Sequence, residues 1–184
     1  MTYLNSNQLK QYKDEGFVSP VNIFSKEKAK EIRDEIELIE KKLPNELEKT
    51  GRYNAHLISP MLDEVTHNEN ILNAVESLIG GNILVCGTTL FIKNPGEGGF
   101  VSYHQDAKYI GLEPHNWVTA WVAITDSNEN NGCMKMWSGS HKHNLKEHDQ
   151  NFNEKNLLTR GQTVNNVPDN EIVPLVLDSG QMSL

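Results

Sequence analysis

No uninterrupted apolar stretch among the 184 residues approaches the roughly 20 needed for a bilayer-spanning helix, so no membrane partner is expected. Basic charge is scarce as well. Against 25 Asp and Glu stand 17 Lys and Arg, a formal net charge of −8. A field of that sign repels phosphate backbones and anionic lipid, which argues against nucleic-acid or membrane-surface binding. Cysteine is nearly missing: Cys86 and Cys133 form neither a CxxC pair nor a disulfide framework. The opening MTYLNSNQLKQYKDEG has no apolar h-region, so the chain reads as a reduced, cytoplasmic protein. There is no HExxH, no internal repeat, no low-complexity tract and no convincing linker. At about 150 residues per domain the length fits one domain, residues 1–184, able to bury roughly 70% of its unfolded surface.

What is present falls into two parts. Ser6 is placed to cap a short helix with Leu9 and Tyr12 on its apolar side, stopped by Gly16. Ser25 caps a longer one, KEKAKEIRDEIELIEKKL, which ends before Pro44. Its Ala29, Ile32, Ile36, Ile39 and Leu43 recur at spacings of three and four and line one face. Two heptads are too few for a coiled coil, so this face is expected to pack on a sheet. ENILNAVESLIGG predicts a third helix with Ile71, Leu72, Val75, Leu78 and Ile79 inward, ended by Gly80 and Gly81. From Ile83 the pattern changes to β-branched and aromatic segments: ILVCGTTLFIK, FVSYHQD, WVTAWVAIT, CMKMW and EIVPLVL. Asn131-Gly132 is a hairpin signal. Residues 1–80 are therefore expected to form a helical flank and 81–184 a β core, an α+β chain built around a sandwich or barrel. The polar, Asn-rich stretch from His143 to Asn170 is expected to be a long excursion, with LLTRGQ as its ordered part.

The sharpest local feature is Tyr103-His104-Gln105-Asp106. In an extended strand His104 and Asp106 project to one side and Gln105 to the other. An imidazole beside a carboxylate supplies two of the three ligands of a 2-His-1-carboxylate Fe(II) site, which keeps positions open for oxygen and a co-substrate. A plain hydrogen-bonded His–Asp pair at a strand end is the other reading of these four residues.

Beyond that motif, the chain resembles the phytanoyl-CoA dioxygenase-like family of Fe(II)/2-oxoglutarate oxygenases. The resemblance runs through LNSNQLKQYKDEGFV, NILNAVESLIGGNI, LFIKNPGEGGFVSYHQD, WVTAWVAITDSNENNGCMKMWSGSHK, LLTRGQ and VLDSGQMSL. It implies a double-stranded β-helix, a cupin-like jelly roll, with flanking N-terminal helices. It also implies an enzyme that binds Fe(II), consumes 2-oxoglutarate and O2, and hydroxylates a small molecule. His104 and Asp106 fall on the family's metal-binding pair, Trp121 on a tryptophan lining the 2-oxoglutarate pocket, and Thr89 within one residue of another pocket position. Arg52 and His56 fall where similar proteins place a polar or basic group near the co-substrate or substrate. Other readings stay open: Trp121 as a core aromatic, Arg52 and His56 as ordinary loop residues, Lys93 as a solvated strand-end lysine. Asn131-Gly132 and Ser138-Gly139-Ser140-His141 match the family too, but their chemistry is that of a turn and a tight loop. His141, His143 and His148 lie in a polar loop without carboxylate geometry and read as solvated.

Two parts implied by the resemblance do not occur. A second metal-binding histidine, and an arginine for the distal carboxylate of 2-oxoglutarate, are expected after a segment like SGQMSL. His115 precedes the strand of Trp121 and His141 belongs to the GSHK loop, so neither substitutes. The expectation is a C-terminally incomplete domain with its last strands missing, impaired in turnover and open at a sheet edge that invites self-association. Asp106 favours hydroxylation over halogenation, because halogenating relatives carry a small residue there. A non-catalytic β-helix domain that keeps the fold is the alternative class. Nothing spells out the substrate.

Overall fold

The computed structural model describes residues 3–43, 52–150, 152–158 and 162–184. The first part is helical, as the apolar spacing predicts. Helix α1 (Ser6–Glu15) is capped by Asn5 rather than Ser6: the Asn5 amide oxygen accepts from the N–H groups of Asn7 and Gln8, and Gln8 bonds back to the Asn5 N–H. Strand β1 (Val21–Asn22) leads to α2 (Lys26–Lys42), capped by Ser25 and burying Ala29, Ile32 and Ile36. Leu43, expected on the same face, is 46% exposed because the helix has already ended there. Pro44, expected just beyond, lies outside the described residues.

A seven-residue helix, α3 (Pro60–Thr66), was not legible from periodicity, being too short to show any; Ser59 caps it and Pro60 opens it. Helix α4 (Glu69–Ile79), capped by Asn68, turns Ile71, Ala74 and Val75 inward. After it come a single-turn helix, α5 (Ala107–Ile110), and six short strands. These are β2 (Trp121–Val122), β3 (Lys135–Trp137), β4 (Asp149–Gln150), β5 (Gln162–Thr163), β6 (Ile172–Pro174) and β7 (Gln181–Ser183).

All ladders are antiparallel: β1-β7-β2 form a three-stranded sheet, while β3-β6 and β4-β5 pair separately. In the first sheet Met182 faces both Val21 and Val122, and Trp121 faces Ser183. One core cluster, around Leu4, Val18, Ile71 and Met182, lies between that sheet and helices α1 and α4. A second gathers Ile32, Ile36, Ala55 and Leu62, with Leu90 and Ile92 packed against it.

The α+β character agrees with the sequence, but the strands are shorter than the residue types suggest. Residues 83–93 and 100–106, expected as full strands, show only single bridges among the described residues, at Thr89 with Tyr53 and at Phe100 with Asn156. β-branched composition makes a segment fit for a ladder; the ladder itself needs a hydrogen-bonding neighbour, and among the described residues, 83–93 find one in the backbone beside Arg52–Asn54 alone. Asn131-Gly132 is not a hairpin turn either. It closes a 3-10 turn, Glu129–Asn131, capped by Asn128, and the following β3 pairs with β6 instead of β2. The Asn-Gly pair reports a need for positive φ, here 80° at Gly132, and not which strands are joined. Lys93 donates to the Gly132 carbonyl at 2.7 Å, which gives that lysine a structural use.

The segment after His143 is not a free excursion. Its β4 and β5 pair, and it runs back along residues 100–106: Phe100 N–H donates to Lys155 O, Ser102 Oγ to Gln162 O, and Val164 N–H to Tyr103 O. Of LLTRGQ, Thr159 to Gly161 lie outside the described residues. The SGSH loop docks on the end of α1, with Gly139 N–H on Glu15 O and His141 Nε2 donating to Lys13 O. No helix among the described residues is long and apolar enough to cross a membrane.

Candidate metal centre

The backbone turns helical at Asp106 (φ −58°, ψ −35°), the residue before α5. That turn, more than a strand pleat, brings His104 Nε2 to 3.0 Å from Asp106 Oδ1. The other polar atom of each side chain is already held. His104 Nδ1 donates to the Ser102 carbonyl at 2.7 Å, and Asp106 Oδ2 accepts from the Thr119 hydroxyl at 2.7 Å. Trp117 Nε1 donates in turn to Thr119 Oγ1 at 3.2 Å, and the Tyr109 ring stands edge-on to His104 at 5.7 Å.

Electrostatics follow from this packing. The His104 side chain is 24% exposed and that of Asp106 40%. Burial alone would lower the imidazole's pKa, but the Asp106 carboxylate and the Ser102 carbonyl together hold it above its ordinary value. Asp106 is held below the usual carboxylate range, chiefly by His104, against the opposing effect of burial and with help from Thr119.

These residues fit a divalent first-row ion. Two ligands each about 2.1 Å from a metal and at right angles to one another stand about 3.0 Å apart. Fixing Nδ1 as the donor on the Ser102 carbonyl leaves Nε2 as the nitrogen that could ligate an ion, and fixing Oδ2 on Thr119 leaves Oδ1 beside it. The nitrogen-plus-carboxylate donor set suits iron or its neighbours in the series. Among the described residues no group of three His, Cys, Asp or Glu is close enough to hold an ion by itself, so the pair could supply two ligands and not a full set.

The remaining expected residues fall into two places. Around β2 the even-numbered Val118, Ala120 and Val122 pack on the first core cluster. The alternation therefore puts Trp121 on the opposite face, with Trp117 and Thr119, the face that reaches Asp106. Arg52, His56 and Thr89 form a separate ribbon. Leu90 N–H donates to Arg52 O, Arg52 Nη1 to Ile92 O, and His56 Nδ1 meets the hydroxyl of Thr88, one residue short of Thr89. Thr119 and Trp117 were missed in the sequence, although their i, i+2 and i, i+4 spacing to Trp121 was a readable signal. His148, read as solvated, is instead half-buried, with its Nε2 accepting from the Gln105 N–H at 2.9 Å. Distance in sequence hid that contact.

A family model described as phytanoyl-CoA dioxygenase (PhyH) matches residues 12–184. The chain is similar to the peroxisomal phytanoyl-CoA dioxygenase of Rattus norvegicus, at 28% identity over 201 residues, covering 96% of this chain and 60% of that protein. Among solved structures it is similar to the non-heme monooxygenase ThoJ in its apo form, at 31% identity and a TM-score of 0.80, over 96% of this chain and 66% of that one. A nickel complex of ThoJ matches at 28% identity and a TM-score of 0.74. CytC3 with Fe(II) and alpha-ketoglutarate shares the fold at 20% identity and a TM-score of 0.63. The chain thus spans 60% of the rat protein's length and 66% of the ThoJ chain.

Proposed function

We propose, for a chain that belongs to the phytanoyl-CoA dioxygenase family, that it forms the metal-binding part of an Fe(II)- and 2-oxoglutarate-dependent oxygenase acting on a small molecule, in a jelly-roll fold. The observation that carries this reading is the pair of His104 Nε2 and Asp106 Oδ1, 3.0 Å apart and each anchored from behind. The nickel complex of ThoJ, a similar non-heme monooxygenase, supports a protein of this kind holding a metal ion. When bound, iron and 2-oxoglutarate supply the oxidising chemistry, with O2 as the oxidant.

This chain's own residues do the rest. Ser102 keeps the His104 proton on Nδ1, so that Nε2 presents a lone pair. Asp106 brings one negative charge to the site and retains it well into the acidic range. Trp121, on the strand face shared with Trp117 and Thr119, would offer an apolar surface to a bound co-substrate and help keep water from it. The ribbon of Arg52, His56 and Thr89 would bring a guanidinium, an imidazole and a hydroxyl to the polar end of the co-substrate or substrate. With the carboxylate of Asp106 in place, hydroxylation is the expected outcome.

The test is a titration of this chain with Fe(II) under argon, or Co(II) as a stable substitute, followed by an assay for succinate formed from 2-oxoglutarate. Binding that disappears in the His104→Ala, Asp106→Ala double variant is expected; equal binding by that variant would sink the assignment. Since two ligands are present among the described residues, a second reading stands beside the first: a domain that holds a metal without turnover. Metal binding with no succinate, in a chain carried through the full length of its relatives, would select it.

A further inference from the structure

The peptide between the two ligands is itself clamped, and we propose that His148 is the positioning residue that clamps it. The inference rests on reading His104 and Asp106 as metal ligands.

Gln105 N–H donates to His148 Nε2 at 2.9 Å, and His148 Nδ1 meets the carbonyl of Lys146 at 2.9 Å. An amide N–H can only donate and a carbonyl can only accept, so these partners assign the ring: hydrogen on Nδ1, lone pair on Nε2. The same loop grips the Gln105 side chain, whose Oε1 accepts from the Lys146 N–H at 2.7 Å. Residues 41 and 43 positions away thus hold both the main chain and the side chain of the one residue that separates the ligands. The loop has its own support. Lys146 Nζ lies 5.3 Å from the centroid of the Trp137 ring, Trp137 Nε1 donates to Glu171 at 2.6 Å, and β4 begins immediately after His148.

Only two peptide units lie between His104 and Asp106. The N–H of Gln105 belongs to the first, so the bond to His148 fixes the ψ of His104 and the φ of Gln105 together. Rotating that unit would swing His104 away from Asp106. In this arrangement His148 Nε2 is occupied by the amide, so the ring acts through the peptide and does not itself ligate the ion. Outer partners of this kind usually change metal affinity by about 10- to 100-fold when removed.

The experiment compares Co(II) titrations of the wild-type chain, His148→Phe and His148→Gln, by calorimetry and the visible d–d bands. Hydrogen exchange of the Gln105 amide is read by NMR in the metal-free protein. Phenylalanine keeps the ring volume and loses the acceptor; glutamine keeps an acceptor close to the position of Nε2. The expected result is a loss of about 10-fold in Co(II) affinity and faster Gln105 exchange in His148→Phe, with both largely restored in His148→Gln. Wild-type affinity and exchange in His148→Phe would overturn the proposal, and so would equal losses in both folded variants, which would mark general loop damage. If His148→Phe does not fold, His148→Gln decides alone: near-wild-type affinity with a protected Gln105 amide supports the clamp, and weak binding by a folded protein overturns it. Wild-type Co(II) binding insensitive to His104→Ala would remove the metal reading itself, and the role of His148 with it.

Discussion

Thr119 donates its hydroxyl hydrogen to Asp106 Oδ2 at 2.7 Å, which turns Oδ1 of the same carboxylate toward His104. A hydroxyl from the segment leading into β2 thereby decides which oxygen faces the site. Replacing it with the isosteric valine leaves the carboxylate free to rotate. Thr119→Val is expected to weaken Co(II) binding by about 10-fold, whereas Thr119→Ser, which keeps the donor, stays near wild type. Calorimetric titration of the two variants checks this, and identical affinities would show that Thr119 does not orient the ligand.

The metal-free pair should leave a pH signature. His104 is held above its ordinary pKa, so its contribution is full below the unfolded imidazole value and is lost as pH rises through the folded one. Asp106 is held below its ordinary value, so its contribution is present above the unfolded carboxylate value and is lost as pH falls through the folded one. Both act together between about pH 4 and 6.5. The Tm difference between the wild type and His104→Phe should be largest in that window and shrink toward pH 8. A difference that does not vary with pH would contradict the pairing.

Metal binding should run the other way. The ion takes the Nε2 lone pair that a proton otherwise occupies, so Co(II) affinity is expected to rise with pH across the same range and to release protons. Calorimetry in buffers of different ionisation enthalpy counts those protons directly.

Gly180 sits at φ 91°, and its carbonyl accepts the N–H groups of both Ile23 and Phe24. A Cβ there would meet the Phe24 carbonyl, so Gly180→Ala faces both a disfavoured backbone angle and a backbone clash. The expected cost is about 2 kcal/mol or more, measured by denaturant unfolding. Ser59 offers a milder comparison. It is 2% exposed, caps α3 at the Leu62 N–H and donates to Glu35 at 3.0 Å. Ser59→Ala should cost about 1–2 kcal/mol.

Local rules recovered what local residues decide. The spacing of Ala29, Ile32 and Ile36 gave α2 its buried face, and Ser25 its start. The meeting of His104 with Asp106 was legible because both side chains and the residue between them fit in one short motif. What escaped lay at long range or depended on a neighbour's backbone. The contact of His148 with Gln105 spans 43 residues and one atom of main chain, and no pattern in the loop announces it. Residues 83–93 carry every compositional mark of a strand, yet Leu84 is 87% exposed, since composition does not supply a ladder partner. The Asn131-Gly132 pair signals a backbone angle, and the strands on either side of it, β2 and β3, do not pair with each other.

The order of β1-β7-β2 carries a consequence for synthesis. Val21 finds its ladder partner only at Met182, and the Val18 amide and carbonyl both bond to Leu184. At about 5–20 residues per second, a ribosome needs on the order of ten seconds or more to travel from one to the other. Throughout that interval helices α1 and α4 can form, but the sheet they pack on cannot. Its middle strand is the last to emerge. The nascent chain therefore carries an unpaired strand edge and an uncovered apolar surface around Val18 and Val21 until β7 has emerged, so the first core cluster is closed by the latest of its three strands.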